Sequence, residues 1–360
     1  MKEYIGCDAH KKYSVFVAVD EQGHAARAVR VEHDREVFRK YLADLPEKSP
    51  IAVEATGHWY WIADAMEAAG HQVHLTNAGE AKKRMGGTHK TDRLDARGLG
   101  MLLRNGTLPE VWIPPAELRD QRDLLRTRMA LVAMRTALKN RIHGALDRYG
   151  IQREGISDLF GGIGRKHLEL CLEYLPEETR YTTQQQAVTL DQIDEQIEKL
   201  EARIERVIEP SEGVRWLKSL PGVGAILGPL IALEVGKVER FPGPGHLASY
   251  AGLVARTISS GGHTRHGKVS QNVNRYLKWA FVEAANVIVM QQKKMAGRHV
   301  VKLYQRLRGS KGHAKAVTAV ARHLAEASYW VLKNQEIYRD PAHREVAGPA
   351  AEAAASVLPG

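Results

Sequence analysis

The sequence is poor in cysteine, in long apolar runs and in acidic charge. Two cysteines in 360 residues, Cys7 and Cys171, cannot build a disulfide framework, which points to a reducing compartment. No apolar run approaches the roughly 20 residues that a membrane-spanning helix needs. Met1-Lys2-Glu3 does not begin a basic stretch followed by an apolar core, so no secretory leader is expected and the location expected is cytoplasmic. Asp and Glu number 42 against 52 Lys and Arg, a net charge of +10. A surplus of that sign predicts a polyanionic partner, nucleic acid before others. The remaining composition, 44% hydrophobic and 26% charged, is that of a soluble globular protein long enough for two or three domains.

Four acids stand out against this background. Asp92 and Asp95 are three residues apart at a predicted helix start, so they share a face. Asp8 lies in an apolar strand-like run, where an unpaired carboxylate is costly, and Glu54 ends another such run. Tyr4 to Cys7, Tyr13 to Val19 and Ala25 to Val31 read as a three-stranded meander, with a turn at Asp20 to Gly23. A helix over His33 to Leu45, a strand at Ile51 to Val53, a helix over Trp59 to Ala69 and a strand at Gln72 to Leu75 follow. Lys82, Lys83, Arg84, Gly86 and Gly87 read as a loop before the helix that starts near Asp92.

That order is the order of the ribonuclease H fold, in which acids from the first strand, the fourth strand and a later helix meet around metal. Hard carboxylate oxygens suit Mg²⁺, which also takes phosphate oxygens. His10, Lys11, His58 and Trp59 flank the acids and read either as contacts to phosphate or metal-bound water or, the reading preferred, as loop residues without a role, whereas His89 and Lys90 are better candidates for phosphate contacts.

Trp112-Ile113-Pro114-Pro115 marks a boundary. One long helix is expected over Ala116 to Tyr149, with an apolar stripe and a set of arginines that could track phosphates. A second, Gln184 to Ile208, carries Ile193, Ile197, Leu200, Ile204 and Val207 at coiled-coil spacing. It could close a hairpin within the chain or join two chains, and assembly is the reading preferred.

Further on, Leu220-Pro221-Gly222-Val223-Gly224 sits between helices, as in helix-hairpin-helix motifs whose glycine amides approach phosphate. Ser259 and Ser260 lie in a predicted glycine-rich loop with Arg265 and Lys268, which serves either as a phosphate-binding loop or as a serine nucleophile beside stabilising cations. Arg275 and Lys278 open the next helix, and the basic segment Lys293 to Lys315 precedes a last one. After residue 340 the composition turns Ala/Pro/Gly-rich and predicts disorder.

Taken in order, Ile5-Gly-Cys-Asp8-Ala-His-Lys, Val53-Glu54-Ala-Thr-Gly, His89-Lys-Thr-Asp92-Arg-Leu-Asp95-Ala, Leu220-Pro-Gly-Val-Gly and Tyr250-Ala-Gly-Leu-Val…Ser259-Ser-Gly-Gly resemble the DEDD transposases of bacterial insertion sequences, the IS110 type. The resemblance implies a RuvC-like α/β ribonuclease H domain (residues 1–110), long coiled-coil helices for oligomerisation (111–212) and a mainly helical transposase domain with the serine (213–340). It implies Mg²⁺ on Asp8, Glu54, Asp92 and Asp95, with Ser260 as nucleophile and Ser259 as its adjacent alternative. Lys90, Gly222, Gly224, Arg265, Lys268, Arg275 and Lys278 are the expected nucleic-acid contacts. DNA, a structured guide RNA and further copies of the chain are the expected partners. A junction-resolvase-like nuclease using water, an actin-like ATPase and a non-catalytic nucleic-acid binder are the competing readings.

Overall fold

Short runs of apolar, β-branched and aromatic residues lay down a sheet within the first 76 residues. The computed structural model describes residues 3–86, 91–152, 155–208, 211–260, 262–270 and 272–341. β1 (Tyr4–Ala9), β2 (Tyr13–Val19) and β3 (Val29–Glu32) form the expected meander. They are followed by α1 (Arg35–Ala43), β4 (Pro50–Glu54), α2 (Trp59–Ala68), β5 (Gln72–Thr76), α3 (Ala78–Met85) and α4 (Asp92–Arg104). The strand order is β3-β2-β1-β4-β5. β2 is antiparallel to β1 and β3, while β1, β4 and β5 run parallel.

The segment read as a basic loop is the helix α3. Asn77 caps its start by accepting the Glu80 amide, and Gly86, at φ +66°, ends it in the left-handed conformation. Lys82, Lys83 and Arg84 fall in its last turn, where the helix dipole favours cations.

The two sheet faces bury different layers. Cys7, Ile51 and Val53 face Phe38 and Leu42 of α1 and Ile62 and Met66 of α2. Burial pushes the Cys7 thiol up to about 12, so it acts as a small apolar side chain. The opposite face carries α4, and Gly6 lets that helix lie directly on β1. A Cβ at residue 6 would stand 1.8 Å from the Ala96 carbonyl oxygen and 2.7 Å from the Gly100 nitrogen.

The chain divides into two compact units, Met1–Pro114 and Pro115–Gly360. The second opens with α5 (Ala116–Arg148), α6 (Gly162–Glu173) and α7 (Glu177–Val207). Ile197 and Ile204 of the α7 repeat are buried while Ile193, Leu200 and Val207 are half-buried, and Leu190, seven residues before Ile197, is buried as well. Ile204 lies in a core with Leu125 and Leu190 in one with Ile142 and Leu146. Arg128 pairs with Glu201 at 2.6 Å and Arg135 with Asp194 at 3.2 Å, so contacts descend α7 as they climb α5. α5 and α7 are therefore an antiparallel pair, and the seam preferred as an assembly element is filled from within the chain.

The phosphate track expected on α5 is corrected by the same geometry. Besides Arg128 and Arg135, Arg126 grips the fully buried Glu234 carboxylate through Nε at 2.7 Å and its Nη2 at 3.0 Å. Arg122 donates to the carbonyls of Leu233 and Glu234 at 2.8 and 3.0 Å. These cations hold the fold together. Arg126→Met should lower stability by about 3 kcal/mol, because it strips a buried charge of its main partner; the midpoint of urea unfolding checks this.

The remaining elements are α8 (Glu212–Lys218), α9 (Leu227–Val235), α10 (Pro244–Tyr250), the hairpin β6 (Ala255–Ser260) and β7 (His263–Val269), α11 (Arg275–Met290), α12 (His299–Lys311) and α13 (His313–Asn334). Leu277, Phe281 and Ile288 of α11 share a core with Val300 and Tyr304 of α12 and Leu324 of α13. Asn274 caps α11 through the Tyr276 and Leu277 amides and also donates to Glu234 at 2.8 Å. The disorder expected after residue 340 lies, from 342 on, outside the described residues.

Candidate metal centre and serine hairpin

Strand alternation decides where the acids point. Gly6 and Asp8 share one face of β1, and Ala52 and Glu54 share one face of β4. Gly6 meets the α4 backbone and Ala52 packs with Leu99 and Leu102 of α4, so this is the α4 face. β1 and β4 pair in parallel with Cys7 opposite Val53, which places Asp8 and Glu54 side by side at the strand ends.

Thr91 begins α4 as its N-cap, accepting the Leu94 amide, and Asp92 and Asp95 occupy the first turn. Asp8 is only 14% exposed at its side chain. Burial raises its pKa, the charges of Asp95 and Asp92 raise it further, and His10 opposes them in part. Asp8 thus feels the charges of Asp92 and Asp95, and the strand register sets Glu54 beside Asp8 at the end of β4.

His10, read as a loop residue without a role, belongs to this cluster. Its Nε2 lies 3.1 Å from Asp8 Oδ2 and 3.2 Å from Asp92 Oδ2. Tyr13 donates its hydroxyl to the same Asp92 oxygen at 3.0 Å, and the Arg30 guanidinium lies 3.6 Å above its ring. The pairing of Ala9 with Ser14 folds residues 10 and 13 back over the end of β1, a placement that the sequence alone does not signal.

One ligand atom each from Asp8, His10 and Asp92 falls within 4.8 Å of the others. Two carboxylate oxygens that repel one another, with an imidazole nitrogen beside them, suit a divalent cation. Lys90 and His89 lie outside the described residues.

In the second unit the serines stand on a strand, where the glycine-rich sequence predicted a loop. Ser260 pairs with His263 and Ser259 with Thr264 across β6 and β7, and Gly262 turns the chain at φ +80°. Both serines are exposed, as is Arg265. Adjacent strand residues project to opposite faces, so the two hydroxyls serve different sides of the hairpin. Among the described residues the Ser260 hydroxyl has no hydrogen-bond partner, whereas Ser259 is engaged in a further interaction. The Lys268 side chain lies outside what is described.

Arg275 and Lys278 are exposed at the start of α11. Gly222 and Gly224 differ in their surroundings. Gly222 sits at φ +77° with its Cβ position 2.3 Å from the Ala284 carbonyl of α11, so packing alone requires glycine there. Gly224 is exposed with open space around it.

Comparison with known proteins follows the same division. Residues 5–151 match a DEDD-type transposase family, and residues 214–300 match the transposase family IS116/IS110/IS902. The chain is 27% identical to the transposase for insertion sequence element IS1111A of Coxiella burnetii, over 93% of this chain and 91% of that protein. It is 24% identical to the insertion element IS116 uncharacterized 44.8 kDa protein of Streptomyces clavuligerus, over 93% and 96%. It is also 24% identical to the transposase for IS1328 of Yersinia enterocolitica, over 88% and 92%.

Proposed function

Because the chain belongs to the IS110 family of insertion-sequence transposases, we propose that it cuts and rejoins DNA with a ribonuclease H-like, RuvC-like metal centre and a serine nucleophile. The observation that carries this reading is the approach of Asp8 and Asp92, both within reach of His10, at the end of β1 in a β3-β2-β1-β4-β5 sheet whose register sets Glu54 next to Asp8. Asp8, Glu54, Asp92 and Asp95 would hold Mg²⁺, with His10 and Tyr13 orienting the Asp8 and Asp92 carboxylates. Bound there, Mg²⁺ supplies positive charge beside a scissile phosphate.

Ser260 Oγ attacks the phosphorus, the bond to the 3′ oxygen breaks, and the serine proton ends on that departing oxygen. A 3′ hydroxyl from the strand to be joined then displaces the serine, gives its proton back to Oγ and restores the phosphodiester. Arg265 and Lys268 offset charge on the phosphoryl oxygens. Lys90, Gly222, Gly224, Arg275 and Lys278 contact the nucleic-acid backbone, and a structured guide RNA selects the DNA.

The chain acts as a homo-oligomer in this reading, with residues 111–212 as the assembly region and 213–340 as the strand-joining region. Support for a second copy comes from exposed apolar residues at seven-residue steps, Ile163 and Leu170 on α6 and Tyr181 and Val188 on α7. The actin-like alternative needs a second sheet resembling the first. The other sheet among the described residues is a two-stranded hairpin.

Incubation with Mg²⁺ and labelled DNA carrying the element's ends tests the reaction. A denaturant-resistant protein–DNA adduct should form, survive Ser259→Ala and disappear with Ser260→Ala. An adduct that is lost only with Ser259→Ala moves the nucleophile by one residue. Cleavage without any adduct makes the protein a nuclease that uses water.

A further inference from the structure

The positive charge of this protein is concentrated in one place. From Ala284 to Ala325 there is no Asp or Glu, and these 42 residues carry nine Lys and Arg. The other 318 residues hold 43 basic and 42 acidic side chains and are almost neutral. A net charge of +10 therefore describes a single segment far more than a generally basic protein. The segment covers the end of α11, α12 and the first half of α13.

Its cations are displayed and uncompensated. Arg322 pairs with Glu326 at 2.8 Å. The other eight are exposed and form no ion pair among the described residues. This contrasts with Arg126, Arg128 and Arg135 of α5, which are taken up by Glu234, Glu201 and Asp194. Ordinary solvated surfaces intersperse the two signs, and like charges at helical spacing repel. A cluster kept free of acids costs stability unless an anion lies against it.

The scaffold beneath is rigid. Val300, Val301 and Tyr304 anchor α12, and Ala316, Val317 and Val320 anchor α13, all buried. On the outer side of α12, Arg298, Lys302 and Arg306 follow one another at four-residue steps, about 12 Å in all. That length spans roughly three to four base steps at 3.4 Å each. Arg308, Lys311 and Lys315 continue the charge across the junction of the two helices. Gly309 and Gly312 at this junction face open space, so a phosphate backbone can approach the main chain closely.

We propose that the outer face of α12 and the start of α13 is the principal docking surface for the phosphate backbone of duplex DNA. The proposal rests on DNA being the partner of this transposase, and it concerns holding the duplex, separately from cutting it. Such a surface positions the duplex without reading its bases, so it should contribute affinity in a sequence-independent, salt-sensitive way.

The test measures binding of the full chain to a 30-base-pair duplex across a series of salt concentrations, without divalent metal so that no cutting occurs. The triple variant Lys302→Gln/Arg306→Gln/Lys311→Gln should bind at least about tenfold more weakly near 0.1 M salt. Its plot of log affinity against log salt should be shallower by about 0.9 for each phosphate contact removed. A control triple, Arg148→Gln/Arg203→Gln/Arg206→Gln, removes the same charge from exposed positions on α5 and α7 and should leave the slope unchanged. All six positions are exposed, and thermal melting of each variant establishes that it is folded.

Equal effects from the two triples would show that net charge alone drives binding and would overturn the proposal. An unchanged slope for the α12 triple would do the same. A loss confined to an RNA duplex of equal length would assign the surface to RNA and overturn the DNA assignment. Wild-type protein that binds no duplex would remove the DNA premise itself, an outcome distinct from the other three.

Discussion

Asp8→Asn is expected to abolish strand cleavage while raising the thermal stability of the metal-free protein. The first effect follows from the chemistry assigned to the acid cluster. Metal charge at a phosphoryl oxygen contributes several kcal/mol, and each ~1.4 kcal/mol is tenfold in rate, so a loss of about a thousandfold or more is expected.

The second effect follows from the electrostatics of Asp8. Burial, then the charges of Asp95 and Asp92, raise its pKa in the folded state above the ordinary carboxylate value. A folded protein that binds this proton more tightly than the unfolded chain loses stability as pH rises from about 3.9 through the raised value. At neutral pH the whole penalty is present, and asparagine removes it. The variant should therefore melt above wild type at pH 7.5 without metal, by about 2 °C for each kcal/mol relieved. The gap should close near pH 3.5. Added Mg²⁺ should stabilise wild type and leave the variant unmoved. Differential scanning calorimetry at the two pH values, with and without Mg²⁺, reads all of this.

Gly6→Ala is expected to have the largest structural effect of any single methyl group added to the first unit. The new carbon would stand 1.8 Å from the Ala96 oxygen and 2.7 Å from the Gly100 nitrogen, both backbone atoms of α4. No side chain can turn aside to relieve that overlap, so the helix itself must lift from β1. Overpacking of side chains costs about 1–3 kcal/mol; displacing a helix backbone should cost more than that range. The same movement carries Asp92 and Asp95 away from Asp8, so metal-dependent stabilisation should disappear along with stability. Gly57→Ala, which adds a methyl group where nothing lies within 4 Å, is the matched control. Denaturant unfolding of the two variants, with and without Mg²⁺, separates the two consequences.

Much of the first unit was legible because its signals are local. Runs of β-branched and aromatic residues mark β1, β2, β4 and β5, and Thr91 followed by two acids marks the start of α4. Proline at 114 and 115 placed the beginning of α5 correctly. What escaped depended on contacts distant in sequence. Tyr13 reaches Asp92 across 79 residues, and no spacing rule connects them. Glu234 reads as a lone acid in an apolar helix until Arg126 and Asn274 are seen to close around it. The serine hairpin carries β-branched Thr257, Ile258, Thr264 and Val269, but Gly261, Gly262 and Gly267 lie among them and favour a loop reading. The α7 seam was seen correctly as apolar, but periodicity says nothing about which helix fills it, and α5 does.

The proposed chemistry requires four carboxylates gathered around a divalent cation. Soaking crystals of the protein in Mn²⁺, and mapping its anomalous scattering, tests that most directly. The prediction is an ion bound by Asp8 and Asp92 with Glu54 or Asp95 completing its oxygen shell, and lost from crystals of Asp8→Asn. Crystals that take up Mn²⁺ elsewhere and leave these four side chains without an ion would contradict it.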